Sequence, residues 1–444
     1  MTLAAVCLMS VAATGTNAAD YLIGASGKNL NSLNGVVSRA GGTLERTFPF
    51  GIAVASSDDP AFAENLYDIA NIQFVVEDVG FEVVAPVQNI AADFGYPPNS
   101  GDDDFFFDLQ WGHNYVGAQE AWADGFFGQG VNVAVLDGGF DVDHPDLVAN
   151  IVDTADMTGQ GVDYACPDPF SHGTHVAGTI GAVDNGYGVI GVAPQVNLML
   201  VKVLFDEPPP SNPAGVCSGT GSFADVIEGI YYAAENGADV INMSLGDTIA
   251  RIGAGGNNAA ISALQNAVSQ AMTWAYQQGV TVIVSAGNAA SDLDGGDASS
   301  VRFNNGLSHA VGISALAPEN WATNGNVPLD PASYTNYGTS SVDFGAPGGD
   351  FDYPGNEGCV VAGLLRPCWI FDMVFSAGGN GGWYWSAGTS MASPHAAGVA
   401  ALIISETGDA NPAHVIREMR RRASDAGKPG RDDVYGHGIT NSGR

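Results

Sequence analysis

Five short runs of apolar residues, separated by longer stretches of helical character, constrain the fold of this chain more than any other feature. A run that is apolar at nearly every position is typical of a parallel strand buried on both faces. The runs lie at 131–136, 196–204, 239–243, 279–285 and 310–315. Helices are predicted at 172–182, 222–236, 257–278 and 390–405. This alternation predicts an α/β domain over 110–444, with a parallel sheet covered by helices on both faces.

The N-terminal part of the chain follows a different pattern. Residues 1–19 are uncharged and contain a short apolar run followed by small residues, which predicts a secretory signal peptide. Over 20–86, two helices among short strands predict a small ferredoxin-like α+β unit. Residues 87–109 hold paired prolines and consecutive aspartates, which are typical of an exposed linker that proteases can cleave.

The chain is strongly acidic. Its 444 residues carry 48 acidic and 14 basic side chains, for a net charge of −34. Nucleic acid is excluded as a partner because binding to phosphates needs a basic surface. No segment after the signal has the length and apolar character of a membrane span. An acidic surface favours solubility, and some of its carboxylates are potential calcium ligands.

The cysteine count suits export to an oxidising compartment. Of five cysteines, Cys7 lies in the predicted signal, so an even number remains in the mature chain. We expect two disulfides, Cys166–Cys217 and Cys359–Cys368. The second would close a short loop within a segment rich in aromatic residues, 349–386.

Four polar residues stand where strands end or helices begin. Asp137 follows the first apolar run, His172 opens a helix, Asn288 follows a strand and Ser390 begins the helix at 390–405. Each alone has an ordinary structural explanation as a turn, a cap or a hydrogen bonder. Together they supply the groups that acyl transfer needs: a serine nucleophile, a histidine base, an aspartate that orients the base and an amide that stabilises the oxyanion.

Other chemistries fit these residues less well. His172 and His175 could form a metal pair, but no third ligand stands at the spacing of a metal motif. The sequence around Ser390 is Gly-Thr-Ser-Met-Ala, which is not the Gly-x-Ser-x-Gly turn of most esterases and lipases.

The order Asp, His, Ser and the local motifs resemble those of the subtilisin-like serine proteases, the subtilases. The matching segments are Val133–Gly139, His144–Leu147, Ser171–Gly178, Ile241–Gly246, Ser285–Asn288 and Gly388–His395. The resemblance covers 110–444, and 20–86 resembles the inhibitory pro-domain that precedes such enzymes. It implies a secreted serine endopeptidase, made as a zymogen that processes itself and acts through an acyl-enzyme.

The resemblance assigns roles by position. Asp137, His172 and Ser390 would form the triad, and Asn288 would donate to the oxyanion. Substrate would bind through Ser244, Leu245 and Gly246, an edge that pairs with an extended backbone, and through Ala286 and Gly287. The maturation cut is expected between about Val87 and Asp108.

The resemblance also implies a structural calcium site around 183–189. Its ligands would be oxygen atoms, as calcium prefers. They are the backbone carbonyls of Val183, Tyr187 and Val189, the side chains of Asn185 and Asp146, and Asp103 from the N-terminal arm.

The sequence departs from the family pattern at several positions. Gly138 stands where the family has threonine or serine after the catalytic aspartate, so a hydroxyl contact is missing. Asp247 replaces a second glycine after Gly246. Residues 301–308 lack the family's proline–tyrosine pattern. The aromatic residues of 349–386 would either form a rim that faces substrate or pack the loop onto the body of the protein.

We therefore expect a monomeric enzyme whose partners are protein and peptide substrates and its own pro-domain, acting as an intramolecular inhibitor. The alternative is a catalytically impaired homologue that only binds peptides. Assays on the processed protein would separate the two.

Overall fold

The computed structural model describes most of the chain after the predicted signal. The described residues are 18–25, 32–67, 72–83, 87–88, 101–166, 169–207, 218–245, 248–250, 258–295, 300–302, 307–325, 327–352, 355 and 357–443. The chain divides into two units, residues 1–78 and residues 79–444. Most of the predicted signal, together with Cys217 and Gly246, lies outside the described residues.

The first unit is an antiparallel sheet with two helices. Its elements are β1 (Ala19–Ala25), α1 (Leu33–Arg39), β2 (Thr43–Thr47), β3 (Ile52–Ser57), α2 (Phe62–Tyr67) and β4 (Ile72–Glu77). The strand order is β2-β3-β1-β4, with every pair antiparallel. Apolar residues of one sheet face and both helices form its core, among them Ile23, Val37 and Phe62. This is the ferredoxin-like arrangement that the sequence predicts.

The second unit contains the remaining elements. Its strands are β5 (Phe81–Val83), β6 (Val87–Gln88), β7 (Asn132–Asp137), β8 (Ile151–Asp156), β9 (Asn197–Lys202), β10 (Leu204–Glu207), β11 (Ser218–Gly221), β12 (Val240–Met243), β13 (Thr248–Ala250), β14 (Thr281–Ser285), β15 (Ser300–Arg302), β16 (Ala310–Ala317), β17 (Asp330–Pro331), β18 (Phe344–Pro347), β19 (Gly358–Val361), β20 (Leu364–Pro367), β21 (Val374–Ala377) and β22 (Trp383–Ser386). Its helices are α3 (Gly112–Tyr115), α4 (Ala118–Ala123), α5 (His172–Gly181), α6 (Phe223–Glu235), α7 (Asn258–Gln277), α8 (Trp321–Asn324), α9 (Thr389–Thr407) and α10 (Pro412–Arg422).

A largely parallel sheet of eight strands forms the centre of this unit. Its order is β17-β16-β14-β12-β7-β9-β8, with β18 also paired to β16. The pairs are parallel except for β16 with β17. The five apolar runs form β7, β9, β12, β14 and β16, and the four predicted helices form α5, α6, α7 and α9, so the predicted α/β class is confirmed. Strand β8 and helix α10 were not predicted.

Helices pack against the sheet, and α9 is the most deeply buried. It lies against β12, β14, β16 and β18 and also contacts α5. Every residue from Thr389 to Ile404 is buried. An α-helix that is apolar on all sides, as α9 is, can only be accommodated in the core. Its N-terminus therefore has a rigid position at the carboxyl edge of the sheet.

The segment 349–386 forms strands rather than an irregular loop. A hairpin of β19 and β20 is closed by the disulfide Cys359–Cys368, and β21 pairs with β22. The aromatic side chains of β22, Trp383, Tyr384 and Trp385, are all buried. They pack this segment onto the body of the protein, which was one of the two alternatives. Cys166 is also disulfide-bonded.

Two parts of the predicted linker 87–109 pack within the second unit. Strand β6 pairs with β22, and residues 107–109 form a 3₁₀ turn with Phe107 and Leu109 buried. In the described part of the chain, no helix has the length and apolar character needed to cross a membrane.

Candidate active site

The carboxyl edge of the central sheet brings Asp137 and His172 together. Asp137 is the last residue of β7, in the position where open α/β sheets present ligand-contacting residues. Its Oδ1 lies 2.7 Å from Nδ1 of His172, and its side chain is 1% exposed. The backbone N–H of Gly138 also donates to this oxygen, at 2.8 Å.

His172 is held at the first turn of α5 and keeps one ring nitrogen available. Ser171 caps the helix by accepting a hydrogen bond from the N–H of Thr174. Among the described residues, none hydrogen-bonds to Nε2 of His172. With Nδ1 hydrogen-bonded to a carboxylate, Nε2 is the nitrogen that can accept a proton.

Ser390 lies in the first turn of α9, where free backbone N–H groups favour negative charge. Its Oγ is 3.3 Å from the backbone oxygen of Ser244. In return, Oγ of Ser244 donates to the backbone oxygen of Ser390 at 2.9 Å and lies 2.9 Å from Oγ of Ser393. Ser244 was predicted only as a substrate contact, but its buried side chain also holds the backbone of Ser390.

Asn288 presents its amide nitrogen beside the same helix start. Its Oδ1 accepts hydrogen bonds from the backbone N–H and the hydroxyl of Thr389, at 2.9 and 2.8 Å. Because the oxygen is engaged, the amide orientation is set and Nδ2 is left to donate. Gly287, at φ +94°, gives the loop its sharp turn and donates its N–H to Thr389.

Asn336 supports this loop and was not predicted. Its Nδ2 donates to the backbone oxygen of Ala286, and its Oδ1 accepts from the N–H groups of Ala289 and Ser291. One buried side chain thus links both sides of Asn288. Asparagine in a Tyr-Thr-Asn-Tyr-Gly segment carries no local signal for such a role, since its contacts are 45–50 residues away in sequence.

A buried ion pair supports the turn that follows Asp137. Nζ of Lys202 is 2.7 Å from Oδ2 of Asp206, and the lysine side chain is fully buried. Oδ1 of Asp206 accepts from the N–H of Gly139 at 3.0 Å. Lys202 is paired in register with Asp137 across β7 and β9. Asp206 therefore connects the turn after the aspartate to a neighbouring strand.

Two strands near the site are paired with the chain's own segment 79–88. β5 pairs antiparallel with β11, and β6 pairs antiparallel with β22. Phe81 of β5 is buried against Phe223, with ring centroids 5.5 Å apart. Gly221 makes room for this ring, because a Cβ there would lie 2.9 Å from Phe81. Leu245, a predicted substrate contact, is buried, as are Ala286 and Gly287.

The predicted calcium loop is held by buried carboxylates. Oδ2 of Asp146 accepts from the N–H of Val189 at 2.9 Å and from Nε1 of Trp383 at 2.7 Å. Its Oδ1 is buried and has no hydrogen-bond partner among the described residues. Burial raises the pKa of Asp146 to about 6, despite these hydrogen bonds. A buried carboxylate oxygen with no donor is a suitable ligand for a hard cation.

The N-terminal arm contributes a second buried carboxylate, Asp104. Its Oδ1 accepts from the N–H groups of Asn185 and Tyr187, at 3.3 and 3.2 Å, and its Oδ2 is buried without a partner among the described residues. Carboxylate oxygens of Asp102, Asp103, Asp104 and Asp184 lie within 4.8 Å of one another. Burial and the neighbouring Asp102 raise the pKa of Asp104 to about 8. The predicted Asp103 is in the cluster, but it is exposed, whereas Asp104 is buried.

Comparison with known proteins establishes the family. The model of the Subtilase family, Peptidase_S8, matches residues 128–438. This chain belongs to the subtilase family. The matched range includes Asp137, His172, Asn288 and Ser390.

Similar subtilases are known from several bacteria. Subtilisin J of Geobacillus stearothermophilus is 31% identical, over 98% of this chain and 92% of its own length. The thermostable alkaline protease of Halalkalibacterium halodurans is 33% identical, over 76% and 73%. The crystal structure of the epidermin leader peptide processing serine protease of Staphylococcus aureus superposes with a TM-score of 0.72 at 20% identity, covering 96% of this chain and 97% of that one. The family and these relatives make this subtilase a serine endopeptidase.

Proposed function

We propose that this subtilase cleaves peptide bonds through an Asp137–His172–Ser390 triad and an acyl-enzyme intermediate. The observation that carries the proposal is the 2.7 Å hydrogen bond from Nδ1 of His172 to the buried carboxylate of Asp137. That bond makes Nε2 the basic nitrogen, which takes the hydroxyl proton of Ser390 as its Oγ attacks the carbonyl carbon. The same proton then passes to the leaving amine.

The developing oxyanion has two donors within this arrangement. Nδ2 of Asn288 is set by the contacts of its oxygen to Thr389, and the N–H groups at the start of α9 lie beside Ser390. Donors that are already oriented stabilise the oxyanion without reorganisation during the reaction. Water then attacks the acyl-enzyme, again with His172 as base.

We propose that the first substrate is the chain itself and that residues 20–86 act as an inhibitory pro-domain of a secreted zymogen. Support comes from β5 and β6, which place residues 81–83 on β11 and residues 87–88 on β22. Strand β22 ends four residues before Ser390. Only Val84, Ala85 and Pro86 separate the two paired strands, so we propose that the maturation cut lies at the C-terminal end of the pro-domain, between Val83 and Val87. This is upstream of the span expected from composition alone.

We propose calcium as a structural cofactor rather than a reactant. Asp104, Asp146 and the loop 183–189 offer oxygen ligands, and the two buried oxygens without donors fit a cation. When bound, the ion would neutralise carboxylates whose burial otherwise disfavours their charge. The proposed proton transfers use His172 alone, so the ion would have only a structural role.

A fluorophosphonate reagent tests the proposed nucleophile directly. The purified protein is incubated with the reagent, and the modified residue is identified by mass spectrometry. We expect one adduct, on Ser390, and labelling slowed by about 10²–10⁴-fold in His172→Ala because the general base is lost. Ser405→Ala, on the same helix, is the matched control and should label as the parent does.

The opposite result would favour the alternative. If the folded protein binds an extended peptide but does not cleave it, and the reagent does not label Ser390, the chain is a catalytically impaired peptide-binding homologue.

A further inference from the structure

The side chain of Asn336 holds the backbone of the loop around Asn288 on both sides of that residue. Before Asn288, Nδ2 of Asn336 donates to the backbone oxygen of Ala286 at 2.8 Å. After it, Oδ1 accepts from the N–H groups of Ala289 and Ser291, at 3.0 and 3.1 Å. Asn336 is 1% exposed. A flipped amide would set its NH2 group against two N–H donors, so the three bonds determine its orientation.

The main chain beside Asn336 continues the same contact. The N–H of Asn336 donates to the backbone oxygen of Gly287 at 2.9 Å, and the N–H of Ala290 donates to that of Tyr334 at 2.8 Å. Ala290 has φ +48°, a conformation that residues with a side chain rarely adopt. Such a conformation persists only where the surrounding contacts fix it. The loop 286–291 is therefore held in one shape.

The segment that makes these bonds is itself anchored in the second unit. Oγ1 of Thr335 accepts from the N–H of Ala315 in β16 at 2.9 Å. The hydroxyl of Tyr334 donates to the backbone oxygen of Gly349. The side chains of Thr335 and Tyr334 are buried. The loop therefore rests on a segment that is fixed to the central sheet.

We propose that Asn336 is a positioning residue of the reaction, which acts through Asn288 and fixes the place of its amide nitrogen beside the developing oxyanion. This inference rests on the proposed function, since it takes Asn288 as an oxyanion donor. The bonds from Thr389 to Oδ1 of Asn288 set the rotation of that amide. Asn336 holds the backbone from which the side chain extends. The two sets of contacts together determine where Nδ2 of Asn288 lies.

The position of this donor affects the rate more than it affects substrate binding. Donors stabilise the oxyanion in full only when they are already oriented towards it. A misplacement of about 1 Å can cost about 10² in rate. Without the side chain of Asn336, Asn288 would still be present, but its backbone would be less well fixed. Because the bound substrate carries no oxyanion, kcat should fall while KM changes little.

A double-mutant cycle on the mature enzyme tests whether Asn336 acts through Asn288. Values of kcat and KM for a peptide substrate are measured for the parent, Asn336→Ala, Asn288→Ala and the double variant. Each protein is first matured by a trace of affinity-tagged parent enzyme, which is removed before the assay. Asn336→Ala should lower kcat about 10- to 100-fold, with KM within about twofold of the parent. The double variant should be at most about threefold slower than Asn288→Ala, because residues that act as a unit are not additive.

Asn150→Ala is the matched control. Nδ2 of Asn150 donates to the backbone oxygens of Gly181 and Pro194, so this side chain also holds two segments of backbone together. Gly181 is the last residue of α5, at the end opposite His172. Asn150→Ala should therefore keep kcat within about twofold of the parent.

Three results would overturn this role. They are a kcat of Asn336→Ala within about twofold of the parent, losses that multiply in the double variant, and an equal loss in Asn150→Ala. If Asn336→Ala does not fold, Asn336→Asp replaces it in the cycle and should show the same non-additive loss, since it keeps the acceptor but removes the donor to Ala286. Full kcat in Asn288→Ala would instead overturn the proposed oxyanion donor, and the inference with it.

Discussion

At the scale of single residues, Asp137, the proposed catalytic aspartate, is supported differently from the family pattern. Gly138 offers no hydroxyl, and Oδ2 of Asp137 has no hydrogen-bond partner among the described residues. Asp206 fills the adjacent space, because a Cβ on Gly139 would lie 2.1 Å from its Oδ2. The turn that contains Gly138 and Gly139 is therefore held by the carboxylate of Asp206, a residue of β10 that is itself paired with Lys202.

Replacing Asp206 with asparagine should destabilise the second unit. Asparagine can still accept from Gly139, but it removes the carboxylate that lies 2.7 Å from the fully buried ammonium of Lys202. Breaking a buried pair in this way costs about 3–5 kcal/mol of unfolding free energy. Denaturant unfolding in a Ser390→Ala background, which prevents self-digestion, measures it. The double variant with Lys202→Met should recover much of the loss, and a single variant as stable as the parent would refute this role.

Asn288→Ala should slow turnover without unfolding the protein. The loss of kcat is established for subtilisin, a relative of this chain. Removal of its oxyanion asparagine lowers kcat about 10²–10³-fold. We expect a loss of similar size here with KM little changed, measured on a peptide substrate. Asn411→Ala, which removes only the cap of α10, should keep full kcat. An unchanged kcat in Asn288→Ala would mean that the oxyanion has other donors.

The sequence predicted residues of the site that carry their own local motif. His172 opens a helix of small residues, and Ser390 begins an apolar helix, so both are visible in short windows. Asp206 and Asn336 were not predicted because the contacts that connect them to the site, with Gly139 and Ala286, span 67 and 50 residues and leave no local pattern. Asp104 was not predicted because the sequence of three consecutive aspartates does not show which of the side chains is buried.

At the scale of elements, the loop 183–189 contacts segments that are distant from it in sequence. The arm reaches it through Asp104, and β22 reaches it through Trp383, which contacts both Asp146 and Tyr187. The sequence predicted this loop from its resemblance to the family. It did not predict β21 and β22, because the aromatic residues of 349–386 were interpreted as a rim that faces substrate or as a loop packed onto the body of the protein.

Calcium should raise the melting temperature, and Asp104 should be needed for most of the effect. A ligand that binds only the native state adds about 2.7 kcal/mol at a hundredfold excess over Kd. Thermal unfolding of Ser390→Ala protein in calcium and in chelator measures this gain. Asp104→Asn should respond much less, while Asp124→Asn, at an exposed position, should respond fully. Identical melting in calcium and in chelator would contradict the site.

At the scale of the whole molecule, acid should destabilise the second unit through histidines buried in neutral form. Burial lowers the pKa of His113 and His175 to about 3 and of His144 and His395 to about 4. In the unfolded chain these groups titrate near 6.5. The stability that they contribute is therefore complete above about pH 6.5 and is lost progressively as pH falls towards the folded-state values.

His113→Gln should reduce this acid sensitivity. Each such histidine lowers the free energy of unfolding by at most about 1.4 kcal/mol per pH unit below 6.5. Glutamine keeps a donor for the backbone oxygen of Ile190, which His113 contacts at 3.0 Å. Unfolding of Ser390→Ala protein between pH 7 and 5 should show a shallower slope in this variant. A slope equal to that of the parent would show that His113 does not contribute to the loss of stability in acid.

We propose that Ser390 is the nucleophile and that its first substrate is the segment of the same chain between β5 and β6. Wild type and Ser390→Ala are produced in a host that lacks other secreted proteases, and intact masses of both are measured. Wild type should accumulate as a mature chain that begins within residues 84–87. Ser390→Ala should keep its N-terminal unit and remain folded, because the loss of one hydroxyl at a helix start costs only about 1 kcal/mol. Processing of Ser390→Ala at the same bond as wild type would contradict the claim.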